Sequence, residues 1–257
     1  MLNASEYSRY SRHLLLDDFD EHAQRRLNNA KVTLFGVGGL GCQVASALAA
    51  AGVGEMVLID DDTIEISNLP RQWLFTEKDI GQKKAEVART RLLAMQSACT
   101  FHCITNFNDI AARDAHLTTS PLIIDCTDSF TSRLAINALA VTHSVPLISA
   151  AASGFIATAT AFNPEISGPC YACPEYNSEQ SLTCFEQGIF SPVVAIAGQL
   201  QAMMALSYLS GIRNPEWGSL HHFNGQNLLM RQFNIQKNPD CPTCSKIHRS
   251  EDHAHSL

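Results

Sequence analysis

The chain has 257 residues, is 46% hydrophobic and 17% charged, and carries a formal net charge of −7. That length and balance fit a globular chain with a sizeable core, and the acidic charge argues against nucleic acid as a partner. No run reads as approaching the roughly 18 consecutive apolar residues of a membrane span, and the opening MLNASEYSRYSRHLLLDD has no secretory core or cleavage site. No membrane and a cytoplasmic location are therefore expected.

Residues 1–28 read as a helical segment. KVTLF (31–35) is a β-rich run ending in glycine, and so a strand. The small and apolar residues 39–51 form a helix, which Gly52 stops. EMVLID (55–60) is the next strand, completing a βαβ unit with parallel pairing and a right-handed crossover. GQKKAEVARTRLLAMQSA (81–98) predicts a helix. FHCIT (101–105) and PLIIDC (121–126) predict strands, with the short helix DIAARDAHL between them. SFTSRLAINALAVTHS (129–144) predicts a helix and VPLISAA a strand.

The pattern changes after residue 153. GFIATATAF (154–162) alternates like a strand of an antiparallel sheet. Residues 163–190 are rich in Pro, Gly, Ser and Glu and read as irregular. SPVVAIAGQLQAMMALSYLSG (191–211) is a long apolar helix, and SLHHF with NLLMRQFNI suggests a hairpin across NGQ. The expected fold is α/β, a Rossmann-like doubly wound sheet whose parallel first half continues into antiparallel strands. A single domain over 1–257 is expected: the helical segment 1–28, a nucleotide-binding half 29–153, a second half 154–246, and a polar tail 247–257 expected to be disordered.

Gly36-Val37-Gly38-Gly39-Leu40-Gly41 follows the first strand and opens the first long helix. Glycines here let the backbone approach phosphate, and the amides of the helix N-terminus favour an anion. The bland alternative is a tight strand–helix turn with no ligand. Asp60 ends the second strand, the usual position of a carboxylate that binds ribose hydroxyls. A nicotinamide enzyme has no use for the run Asp60-Asp61-Asp62 with Asn68, Arg71, Gln72, Lys83 and Lys84 downstream of it. A triphosphate does, because Arg and Lys neutralise its phosphates and a carboxylate holds Mg²⁺. DCTDS (125–129) places Asp128 just beyond a strand's C-terminal end, where open α/β sheets bind ligands. Each cation taken alone fits a solvated surface equally well; together, downstream of a phosphate loop, they favour a triphosphate.

Four of the nine cysteines form two C-x-x-C pairs, Cys170/Cys173 and Cys241/Cys244. Four thiolates at these spacings suit a tetrahedral structural Zn²⁺, which would tie the C-terminal part to the loop after residue 163. Redox dithiols are the alternative. His221, His222, His253 and His255 lie near or after the pairs, but a fully thiolate site does not need them. Cys42, Cys99, Cys103 and Cys126 read as packing. Cys184, in SLTCFEQG, is either a small packed residue or a group that acts in sulfur transfer.

RYSRHLLLDD, GVGGLG, DDDTIEISNLPRQ, GQKKAE and DCTDS occur in order and are followed by CYAC and CPTC. Over residues 5–245 this set resembles the ThiF/MoeB/HesA family of E1-like adenylyltransferases. The resemblance implies adenylation, with ATP and Mg²⁺, of the C-terminal glycine carboxylate of a small ubiquitin-like sulfur carrier, ThiS- or MoaD-like and ending in Gly-Gly. It implies that Asp60 binds ribose, that Asp62, Asn68, Arg71 and Lys84 contact ATP, and that Asp128 positions Mg²⁺. Arg12 matches an arginine that reaches the partner subunit's triphosphate, which implies a homodimer; the sequence alone fits Arg12 on a plain surface helix equally well. The family often has a cysteine at the place of Cys184. The half 154–246 would then hold the carrier and the zinc, and a separate protein would donate the sulfur.

Three features depart from the family pattern: Pro70 in NLPRQ, Ser129 after Asp128, and Lys83 beside Lys84, which leaves open which lysine points inward; register favours Lys84. Two other readings compete: a nicotinamide-dependent oxidoreductase and a catalytically inactive nucleotide-binding scaffold. Within the first reading, RYSRHLLLDD leans toward thiamine synthesis, whereas GLGC and SLTCFEQG lean toward molybdopterin synthesis.

Overall fold

The computed structural model describes residues 1–96, 98–107, 109–174 and 188–245. In chain order its elements are helices α1 (Ala4–Arg9) and α2 (Glu21–Asn29), strand β1 (Lys31–Phe35), α3 (Gly39–Ala51), β2 (Glu55–Ile59), α4 (Lys84–Met95), β3 (Thr100–Ile104), α5 (Ile110–Leu117), β4 (Ile123–Asp125), α6 (Phe130–Thr142), β5 (Leu147–Ser153), β6 (Ile156–Phe162), α7 (Ser191–Ser210), β7 (Ser219–Asn224) and β8 (Leu229–Asn234). The strands form one eight-stranded sheet in the order β3-β2-β1-β4-β5-β6-β7-β8. Pairing is parallel from β3 to β5 and antiparallel from β5 to β8. This is the mixed α/β sheet that the sequence predicts.

The central strands are apolar on both faces because helices cover both. Val32 and Leu34 of β1 pack into a cluster with α2, α3, α4 and α7. Phe35, next in the same strand, joins the opposite cluster with Leu117 of α5 and Ile136 of α6. Gly52 closes α3 in the left-handed region, as its position predicts.

Two expectations change. The helix predicted over 81–98 begins only at Lys84, because residues 81–83 pair with the loop after β2 instead of winding. Helix α7 is, by length and composition, apolar enough to cross a membrane, contrary to the reading that no run approaches that length. Half of that stretch is buried within the chain, however, against α2, α3, β5 and β6. Its close seat on α3 depends on Gly198, where a Cβ would stand 2.7 Å from Gln43 Cβ. The apolarity of α7 is therefore largely that of a core helix.

Candidate functional site

The chain leaves β1 through Gly36, at φ +85°, where a Cβ would lie 3.0 Å from the Cys126 carbonyl oxygen. Only glycine suits both constraints. At Gly41 a Cβ would stand 2.0 Å from the Gly36 carbonyl oxygen, so α3 starts directly on the strand exit. At Gly39 it would meet Val194 of α7 at 2.6 Å. Gly38 is different, since a Cβ there would touch only Gln72 Nε2, at an ordinary 3.5 Å. Packing within the chain therefore does not demand glycine at 38, whereas an unobstructed approach to the loop does. Gly38 is also the N-cap of α3 and makes no side-chain cap bond, which leaves the helix's first amides able to receive an anion.

Asp60 follows β2. Its carboxylate accepts the Val37 N–H at 2.6 Å and the Asp62 N–H at 2.9 Å, tying the glycine loop to the next segment. Burial raises its pKa, opposed by the Val37 bond and the charge of Lys84. Residues 62–64 then pair with 81–84. The Gly81 N–H donates to Ile64 O at 2.8 Å, the Ile64 N–H to Gln82 O at 2.9 Å, and the Lys84 N–H to Asp62 O at 3.1 Å. That pairing turns Lys84 inward, with Nζ 2.7 Å from Asp62 Oδ2. Lys83 Nζ is held outside the cavity by the Asp61 carbonyl.

Asn68 ends a short 3-10 turn and accepts the Glu65 N–H at 3.1 Å. Arg71 donates to the Ser67 carbonyl at 2.8 Å. Gln72 is only 3% exposed, and its Oε1 has no hydrogen-bond partner among the described residues. Across the cleft, Asp128 lies in the exposed loop between β4 and α6. Behind it the buried Asp125 accepts from the Thr127 N–H, Thr127 Oγ1 and Ser149 Oγ, at 3.0, 2.7 and 2.9 Å. Burial raises the Asp125 pKa against the charge of Arg133 and these bonds.

These residues surround one cleft of about 470 Å³ at the C-terminal ends of β1, β2 and β4. The strand order reverses there, the place where open α/β sheets bind ligands. Gly36, Gly38, Gly39, Asp60, Asp62, Asn68, Arg71, Gln72, Lys84 and Asp128 all line it. Gly41 packs behind the loop. Arg12 does not line it and is exposed between α1 and α2. Sequence reasoning passed over Phe107, Thr127, Ser132, Arg133 and Ile189, which also line the cleft.

A nucleotide triphosphate fits this donor set. The loop amides and the cations Arg71, Lys84 and Arg133 give the cleft donors and positive charge suited to phosphates, and the unpaired Gln72 Oε1 offers an acceptor. The Asp60, Asp61 and Asp62 carboxylates approach within 4.8 Å of one another and, with Asp128, are oxygen donors of the kind Mg²⁺ takes.

The second site is the cysteine cluster. Cys170, Cys173, Cys241 and Cys244 are buried, with all four Sγ atoms within 4.8 Å of one another. The Sγ separations are 3.7 Å for Cys170–Cys241, 3.9 Å for Cys170–Cys173 and 3.5 Å for Cys173–Cys244. A tetrahedron with metal–sulfur bonds of about 2.3 Å has edges of about 3.8 Å. The cluster could therefore hold a metal. Asn137 of α6 donates to Cys170 Sγ at 3.5 Å and accepts the Tyr171 N–H at 3.0 Å, pinning the first knuckle. Cys42, Cys99 and Cys126 are buried and Cys103 is half-buried, and none of these described cysteines is in a disulfide. Cys184 lies outside the described residues.

Comparison with known proteins agrees with this architecture. The sequence model of the ThiF family matches residues 10–243. The molybdopterin-synthase adenylyltransferase of Salmonella typhimurium is 35% identical over 246 residues, covering 95% of this chain and 99% of that protein. The sulfur carrier protein ThiS adenylyltransferase of Escherichia coli is 37% identical over 246 residues, covering 95% and 97%. Among solved structures, Escherichia coli MccB with ATP superposes with a TM-score of 0.81 at 28% identity, covering 94% of this chain and 75% of that one.

Proposed function

This chain belongs to the ThiF family, and from that premise we propose that it adenylates the C-terminal glycine carboxylate of a ubiquitin-like sulfur carrier, ThiS- or MoaD-like, using ATP and releasing pyrophosphate. The observation that carries this reading is the convergence of the glycine loop, Arg71, Lys84 and Asp128 on one cleft. In the proposed reaction a carboxylate oxygen attacks the α-phosphorus in line. The bond from that phosphorus to the bridging oxygen breaks, and pyrophosphate departs. Attacking and departing groups are both anionic, so the chain's task is positioning and charge neutralisation, without a covalent protein nucleophile.

The α3 amides beside Gly38 and Gly39 hold phosphate, and Asp60 takes the ribose hydroxyls. Asn68, Gln72 and Asp62 orient the nucleotide, while Arg71 and Lys84 neutralise the phosphates. Asp128, with the carboxylates after β2, would hold Mg²⁺, whose chemistry is to offset the triphosphate's charge. The cysteine cluster would hold a structural Zn²⁺. Arg12, which does not line its own chain's cleft, would serve the partner subunit's cleft in a homodimer. The half 154–246 would hold the carrier, a separate protein would donate sulfur, and Cys184 is assigned to the step after adenylation. The enzyme would work in the cytoplasm, in thiamine or molybdopterin synthesis; near-equal identities of 35% and 37% favour neither branch. A nicotinamide enzyme would leave Arg71 and Lys84 without a role.

The test is intact-mass analysis of a Gly-Gly carrier incubated with the chain, ATP and Mg²⁺. A carrier adenylate forms with the native chain and not with Lys84→Ala or Asp128→Ala. An adenylate formed equally well by those variants would remove both assignments.

A further inference from the structure

A second cavity, of about 890 Å³, lies on the face of β5, β6 and β7 opposite α7. Thr158, Thr160, Phe162, Tyr171, Leu220 and Ile235 line it. Among the described residues, Arg133 is the one residue that borders both this groove and the nucleotide cleft. It stands one turn into α6, after the N-cap Ser129, and reaches back to the loop that carries Asp128. Nε and one terminal nitrogen donate to the Thr127 carbonyl at 3.1 and 2.9 Å, which fixes the plane of the guanidinium.

Resting on the adenylation reading above, we propose that Arg133 binds the carrier's terminal carboxylate and aims it at the α-phosphorus. A Gly-Gly tail arriving along the groove brings its carboxylate into the nucleotide cleft past this guanidinium. The carboxylate approaches an anionic triphosphate at that point, so a cation is most effective there. A guanidinium held in one plane offers a carboxylate charge-assisted N–H···O bonds of defined direction, so it sets orientation as well as charge. One carboxylate oxygen then forms the new bond to phosphorus and pyrophosphate leaves; no proton or electron is exchanged.

The test is a two-by-two cycle. Binding of the carrier is measured with a C-terminal carboxylate or a carboxamide, to the native chain and to Arg133→Gln, with a non-hydrolysable ATP analogue present. In the native chain the carboxamide should bind about 10- to 100-fold more weakly, and in Arg133→Gln that difference should fall below about twofold. Arg133→Lys, which keeps a charge but not the planar guanidinium, should fall between and folds with the least disturbance. The ATP analogue is kept saturating for each variant, so that any change in nucleotide affinity is separated from carboxylate discrimination.

Full carboxylate discrimination in Arg133→Gln and Arg133→Lys would overturn the proposal. So would its absence in the native chain, or a loss confined to ATP binding. A native chain that adenylates a carrier but shows no coupling in the cycle removes only the role of Arg133. A native chain that adenylates no carrier removes the underlying reading, and this proposal with it.

Discussion

Gln72 offers a test in which stability and binding move in opposite directions. Its side chain is 3% exposed, and Oε1 is unpaired among the described residues. A buried acceptor without a partner costs about 1–3 kcal/mol. Methionine has nearly the same length and volume and no amide, so Gln72→Met keeps the packing and removes that cost. Without nucleotide the variant should be as stable as the native chain or about 1 kcal/mol more stable, a rise in Tm of up to about 2–4 °C at this chain length. If bound ATP donates to Oε1, the variant loses that bond and its affinity falls about tenfold. Thermal unfolding with and without ATP, together with calorimetric titration, reads both effects. A variant that is less stable alone yet binds ATP normally would refute the reasoning, because Oε1 would then serve the fold and not a ligand.

Particular contacts set three further outcomes. Gly41→Ala puts a Cβ 2.0 Å from the Gly36 carbonyl oxygen and should cost about 3 kcal/mol of stability. Gly38→Ala meets only the 3.5 Å contact, so it should cost less than about 1 kcal/mol while weakening ATP binding by tenfold or more. Equal losses of stability in the two variants would contradict this contrast. Asp79 accepts from the Thr76 N–H and Oγ1, each at 2.8 Å, and pairs with Arg91 at 3.0 Å. Burial pushes the Asp79 pKa up, but these partners outweigh it and hold the pKa below its usual value. Its contribution should therefore be complete above the unfolded pKa of about 3.9 and be lost as pH falls through the lowered folded value. The stability gap between the native chain and Asp79→Asn should be flat from about pH 7 to 5 and close below about pH 4; a gap that widens on acidification would be the wrong sign. Purified chain should hold one zinc, and Asn137→Ala, which removes the bond to Cys170 Sγ, should lower metal affinity by about 10-fold or more in a chelator competition. Metal-free native protein would refute the zinc assignment, and unchanged affinity in the variant would remove the role of Asn137.

Local signals carried much of the fold. The run from Lys31 to Ile59 was legible because a strand, a glycine turn forced by close backbone approach, a small-residue helix and a glycine stop all lie within 29 consecutive residues. The switch to antiparallel pairing after Ser153 showed in the alternation of GFIATATAF. The start of α4 was not legible, because it depends on pairing across some twenty residues, between 62–64 and 81–84. The same pairing decides that Lys84 lines the cleft and Lys83 does not, a choice that the doubled lysine left open and that only register with the motif favoured. Arg133 was hidden because a single arginine in SFTSRLAINALAVTHS looks like part of a solvated helix face. Its placement comes from α6 beginning at the cleft, a fact of tertiary structure; its offset of five residues from Asp128 was the available signal. The apolarity of α7 had no local signature to separate a core helix from a span, and only its burial against α3 and the sheet identifies what it packs on.

Adenylation of a carrier carboxylate is tested most directly by ATP–pyrophosphate exchange, measured with a panel of purified carriers ending in Gly-Gly. The exchange should require Mg²⁺ and one carrier, vanish when that carrier lacks its terminal glycine, and vanish in Lys84→Ala. Tight ATP binding with no exchange for any carrier would contradict adenylation and return the chain to the scaffold reading.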